Sequence, residues 1–173
     1  MPALIISVLI FLNYNATPAY YELIYRDLNI YFRGHFIDGN LKYSYFEACC
    51  NNNPKNNLTS SGLAEGLVFV MGDHEINIQE LTPELFLNMK PQIKRNGAYS
   101  EVIIENSSSE NIALEFHEKR CIALRYIAPS EGKSILVKCF KYKGKVFYLP
   151  STKDKLVNIF GPPSSEHKIY RMP

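Results

Sequence analysis

The residues of this chain whose types and spacing could do chemistry are four cysteines, four histidines and one short aromatic and basic strip. Cys49, Cys50, Cys121 and Cys139 make an even set, which in an exported protein points to disulfides, with three pairings open. Adjacent Cys49-Cys50 lacks the two-residue spacer of a zinc knuckle. His35, His74, His117 and His167 have no partner at ligand spacing, two apart on a strand or four apart on a helix. Asp73-His74-Glu75 is the densest polar cluster, and its place after Gly72 reads as a solvated turn. We therefore expect no metal and no cofactor.

Nucleophile chemistry has no linear signature either. The chain holds no Gly-x-Ser-x-Gly elbow, no His-Glu-x-x-His pair and no phosphate loop ending in Gly-Lys-Ser/Thr. No catalytic residue is assigned. A small secreted hydrolase with spatially assembled carboxylates is the enzymatic alternative, because such pairs leave no trace in sequence. Binding is the expected activity. Tyr31, Arg33, His35 and Lys42 fall on one face of a hairpin and form the candidate binding strip, since Tyr and Arg are enriched at interfaces. The first partner class is a protein; an anionic lipid or glycan surface is the alternative. Net charge is +2 and the isoelectric point about 8.3, far from the clustered basic excess of a nucleic-acid binder. Asn57-Leu58-Thr59 and Asn106-Ser107-Ser108 are glycosylation acceptors on a eukaryotic secretory route.

The elements that position these residues are short strands separated by turn chemistry. Ile30–Ile37 and Asn40–Phe46 flank Asp38-Gly39, the favoured two-residue hairpin turn. Pairing through it sets Phe36 against Leu41, Gly34 against Tyr43 and Phe32 against Tyr45. A second hairpin joins Val102–Glu105 to Ile112–Phe116. A third joins Cys121–Ile127 to Ser134–Phe140, with Ile122 against Cys139. In that register Cys121 and Cys139 point to opposite faces, so the reading favours a bond from the Cys49-Cys50 pair to this hairpin. Lys143-Gly144 turns into Lys145–Leu149, and Val157–Phe160 reads as an edge strand. Thr82-Pro83-Glu84 starts one short helical connector near residues 82–89.

Strands at this spacing predict an all-β chain, an antiparallel β-sandwich for which an immunoglobulin-like arrangement is one form. Ala3–Leu12 is an apolar run too short to span a bilayer, which takes about 20 residues, and Thr17-Pro18-Ala19 resembles a cleavage site. The domain reading is therefore a signal peptide over 1–19, one β-sandwich domain over 20–163 and a C-terminal tail over 164–173. It implies a secreted or periplasmic product.

Overall fold

A computed structural model describes residues 18–49, 66–106, 109–118, 120–129 and 133–170, with Gln79 described by its backbone alone. The leader reading falls outside these residues up to position 17, as do Cys50, Asn57 and most of the polar loop 49–62. In chain order the strands are β1 (Tyr20–Tyr25), β2 (Ile30–Ile37), β3 (Asn40–Cys49), β4 (Leu67–Met71), β5 (His74–Asn77) and β6 (Gln92–Asn96). They continue with β7 (Tyr99–Glu105), β8 (Asn111–His117), β9 (Arg120–Ile127), β10 (Cys139–Tyr142), β11 (Lys145–Phe147) and β12 (Ser165–Ile169). Helix α1 (Lys153–Phe160) lies between the last two. The chain is mainly β, with two open antiparallel sheets, and is consistent with a β-sandwich. The large sheet has the order β12-β1-β2-β3-β9-β8-β7-β6 and the small one β11-β10-β4-β5.

The core forms between one face of the large sheet and the small sheet. Phe32, Phe46, Leu114, Leu124 and Tyr126 from the first meet Phe69, Phe140 and Phe147 from the second, all buried. Helix α1 closes one side by turning Leu156 and Phe160 inward, four residues apart on one helical face. The β2–β3 hairpin follows from its turn: Asp38 and Gly39 both take positive φ, 50° and 72°, as the type I′ turn requires.

That hairpin carries the feature on which the outer face depends. Gly34 pairs with Tyr43 as expected, but Arg33 pairs with Tyr45 and Phe32 with Phe46. Ser44 is thus an extra residue, a β-bulge, and the alternation of β3 reverses beyond it. Phe46 enters the core, and Tyr45 moves to the opposite face, beside Arg33. Gly34 permits the arrangement, because a Cβ there would lie 2.8 Å from both Tyr43 Cδ1 and the Lys42 carbonyl oxygen. We expect Gly34→Ala to lower stability by about 1–3 kcal/mol, the usual cost of overpacking. The urea midpoint measures it, and an unchanged midpoint would show that the bulge does not need this space.

Two further expectations are corrected. The third hairpin is absent: β9 pairs with β3 and β8 in the large sheet, whereas β10 pairs with β4 and β11 in the small one. Residues 133–138 are a crossing between the sheets, held by a side chain that local pattern could not announce. Val157–Phe160 is helix, not strand: Thr152 takes the extended N-cap conformation, Asp154 lies in the first turn, and the Gly161 N–H bonds to the Val157 carbonyl. Residues 165–169 pair with β1, Ile169 opposite Tyr20. The connector is found at Pro83–Met89, as a 3-10 segment with Pro83 in its first turn.

Candidate functional site

The face of the large sheet that points away from the core carries a row of half-buried polar and aromatic side chains. Strand register places Glu22 beside Arg33 and Arg33 beside Tyr45, then Ile24 beside Tyr31, Tyr31 beside Glu47, and Glu47 beside Arg125. Arg33 is the centre of the first group. Its Nε donates to the Tyr31 hydroxyl at 3.1 Å, and its Nη2 lies 3.9 Å from Glu22. Its guanidinium stands 4.3 Å from the Tyr20 ring centroid, 5.2 Å from Tyr45 and 5.6 Å from Tyr31. Such contacts hold a cation at an aromatic face by its quadrupole.

The tyrosines of the group are hydrogen-bond donors. The Tyr31 hydroxyl donates to Glu22, and the Tyr45 hydroxyl to Glu47 at 2.7 Å. Burial first, then the Glu22 bond, pushes the Tyr31 phenol up against the pull of Arg33; burial and Glu47 do the same for Tyr45. Both stay protonated, so neither is a general base at neutral pH. Further along, Glu101 and Glu115 face each other across β7 and β8, a repulsive pairing that Arg125 relieves by binding both, Glu101 at 3.3 Å. Lys94 adds a contact to Glu101 at 3.7 Å.

Of the expected strip, Tyr31 and Arg33 belong to this cluster. His35 and Lys42 are paired across the strands nearer the turn, where His35 Nδ1 lies 3.4 Å from Ser44 Oγ. Sequence reading missed Tyr20, Glu22, Tyr45 and Glu47. The first two stood at alternate positions of an unassigned strand; the other two were displaced by the bulge.

A groove of about 520 Å3 opens at the end of this cluster, where the chain turns from β1 into β2. Ile24, Arg26, Tyr31, Arg33, Glu47 and Cys49 line it. Arg26 is exposed, and among the described residues its guanidinium makes no ion pair. A second cavity, about 540 Å3, lies on the other side of the molecule between Asp73, Ser134, Lys138, Cys139 and Tyr148. Its chemistry is poor. Burial, with Glu75 adding to it against the pull of Lys141, pushes the Cys139 thiol up, away from the reactive thiolate. Ser134 Oγ is engaged by Glu110 and by the Val137 carbonyl. A third hollow of about 410 Å3 runs along β6 between Arg95, Tyr99 and Glu115.

Glu110 is the most buried charged side chain described, 0% exposed. It receives Asn106 Nδ2 at 2.7 Å, the Tyr126 hydroxyl at 2.8 Å, Ser134 Oγ, and the amides of Ile135, Leu136 and Val137 at 2.9–3.1 Å. These bonds outweigh the burial that by itself would raise its pKa and hold it below the usual carboxylate range. A carboxylate kept ionised and sealed from solvent offers a substrate neither proton nor lone pair; its work is structural. Asn106 is half-buried, and its amide nitrogen, the atom a glycan would occupy, donates to Glu110.

Cys49 and Cys121 lie in the large sheet and Cys139 in the small one, and these three are not joined to one another by disulfides. Cys121 Sγ lies 3.5 Å from the Ala123 carbonyl, and Cys49 Sγ 3.8 Å from Glu47. The expected bond from the Cys49-Cys50 pair is therefore not made by Cys49 to Cys121 or Cys139; Cys50 lies outside the described residues. Among the described residues no three His, Cys, Asp or Glu side chains converge as metal ligands. Comparison with protein-family models, with curated proteins and with solved structures finds no match.

Proposed function

We propose that this chain is a secreted or periplasmic, non-enzymatic binding module that recognises a protein partner through the outer face of its large sheet. The observation that carries the reading is the groove beside the Arg33 cluster. It joins an apolar wall at Ile24, a tyrosine and an arginine fixed by neighbours, and a second arginine, Arg26, left without an ion pair among the described residues. Side chains ordered before binding lose little entropy on association, and Tyr and Arg dominate interface energetics. Arg33 is already balanced by Glu22, so Arg26 sets the chemistry of the contact: a partner presenting a carboxylate beside an apolar side chain. Two-layer packing makes a β-sandwich frame the natural reading, and an immunoglobulin-like form rests on strand spacing alone.

The test compares proteins retained by the immobilised chain and by its Arg26→Glu variant. Arg26 is exposed, so the variant is expected to fold normally. We expect a partner bound by the wild-type chain to be lost, or weakened at least about tenfold, on the variant. Identical retained sets would contradict the groove.

A further inference from the structure

We infer that the corner formed by the 3-10 segment Pro83–Met89 and edge strand β6 is a contact for an anionic lipid surface, independent of the groove on the outer face. Among the described residues ten large hydrophobic side chains are exposed, and four of them fall within nine positions: Leu85, Leu87, Met89 and Ile93, at 51, 55, 42 and 37%. Singly exposed apolar residues are ordinary; four so close along the chain, on one short segment and the strand after it, are what a surface-inserting corner needs. Leu85, Leu87 and Met89 line none of the three cavities described above, so they offer tips to insert rather than a pocket to fill.

The corner is rigidly mounted. Phe86 is buried between the two exposed leucines, and Leu81, just before the segment, is buried too. Anchoring the segment from within means that its backbone is already ordered, so binding costs only the ordering of the outward side chains.

Charge selects the occupant. Lys90, Lys94 and Arg95 follow the apolar tips, all exposed, and every residue of β6 is exposed. Two acidic residues, Glu80 and Glu84, precede them, and Glu101 lies across from Lys94 on β7. In chain order the cations follow the apolar tips and outnumber the two acids, three to two, a balance that suits insertion at the boundary of an anionic bilayer. Lys94 also contacts Glu101, so Lys90 and Arg95 are the cations with most freedom to face headgroups.

The chain contains no tryptophan, so Leu87→Trp creates a single fluorescent reporter. Phosphatidylcholine vesicles with and without phosphatidylglycerol are the probes. We expect the Leu87→Trp emission to shift to the blue and to be quenched by brominated lipid, more strongly with phosphatidylglycerol and less at high salt. A Tyr148→Trp reporter, placed at a residue 62% exposed by the second cavity, should not respond. In co-sedimentation, Leu85→Asn with Leu87→Asn should lower vesicle partitioning about tenfold per leucine. Both leucines are exposed, so unfolding is not expected to account for the loss, and unchanged circular dichroism checks this. An unshifted Leu87→Trp spectrum, an equal response from Tyr148→Trp, or partitioning that survives the double asparagine variant would overturn the inference.

Discussion

Replacing Glu110 by alanine is expected to lower stability by about 3–5 kcal/mol, because two buried donors, the Tyr126 hydroxyl and the Val137 amide, lose their acceptor at roughly 1–3 kcal/mol each, and four part-buried donors lose it as well. The amides of Ile135, Leu136 and Val137 all point at this carboxylate, together with Tyr126, Ser134 and Asn106. The chain crosses here from β9 in the large sheet to β10 in the small one. Loss of the acceptor therefore releases the connection between the layers. Glutamine keeps the shape but turns an amide NH2 towards donors, so Glu110→Gln should fall between wild type and alanine. The pH dependence has a definite sign. The folded-state pKa lies below the unfolded one, so the ionised carboxylate contributes fully above the ordinary carboxylate range, and the contribution is lost as pH falls through that range to the folded value. Urea midpoints should separate wild type from Glu110→Gln widely at neutral pH and progressively less in acid. A gap independent of pH would mean that ionisation does no structural work.

Phe140→Ala should cost a similar amount, about 3–5 kcal/mol for a large aromatic removed from a sealed core. Its ring lies 5.0 Å from Phe46 and 5.3 Å from Tyr126 in the large sheet. On its own sheet it lies 5.2 Å from Phe147, stacked at 17°, and 5.8 Å from Phe69. No smaller side chain can bridge all four, and the opposed sheets are too well tied to collapse onto the space. Ile135→Ala, at a residue 72% exposed, is the matched control and should stay within about 0.5 kcal/mol. If Phe140→Ala cost under about 1 kcal/mol, the two sheets would not be packed through this ring.

Local chemistry made part of this fold legible in the sequence. Asp38-Gly39 specified its turn, and the apolar pattern of Val102–Glu105 and Ile112–Phe116 specified β7 and β8. Lys143 and Gly144 turn β10 into β11 at φ of 47° and 80°. Other signals were present and went unread. Asn96-Gly97 is a strong hairpin signal, and Gly97 does take positive φ, 59°, between β6 and β7. Yet β6 is exposed on both faces and shows no alternation that would identify it as a strand. Val157 and Ile159 suggested a strand because they are β-branched, whereas burial is set by Leu156 and Phe160 at helical spacing. The remainder was not local. Ile135-Leu136-Val137 has strand composition, but its amides serve a carboxylate about 25 residues away. Glu110 itself sits after Asn-Ser-Ser-Ser and looks like any loop acid. The site suffered in the same way: one extra residue at Ser44 decides whether Tyr45 faces the core or Arg33, and nothing in the alternation of β3 marks it.

The central claim is that a protein partner docks at the groove of the large sheet rather than elsewhere. Site-specific photo-crosslinking resolves this directly, with benzoylphenylalanine placed at Ile24 in the groove or at Tyr148 on the small-sheet side. The account predicts a partner adduct from position 24, abolished by Arg26→Glu, and none from position 148. An adduct from position 148 alone, or from position 24 regardless of Arg26, would contradict it.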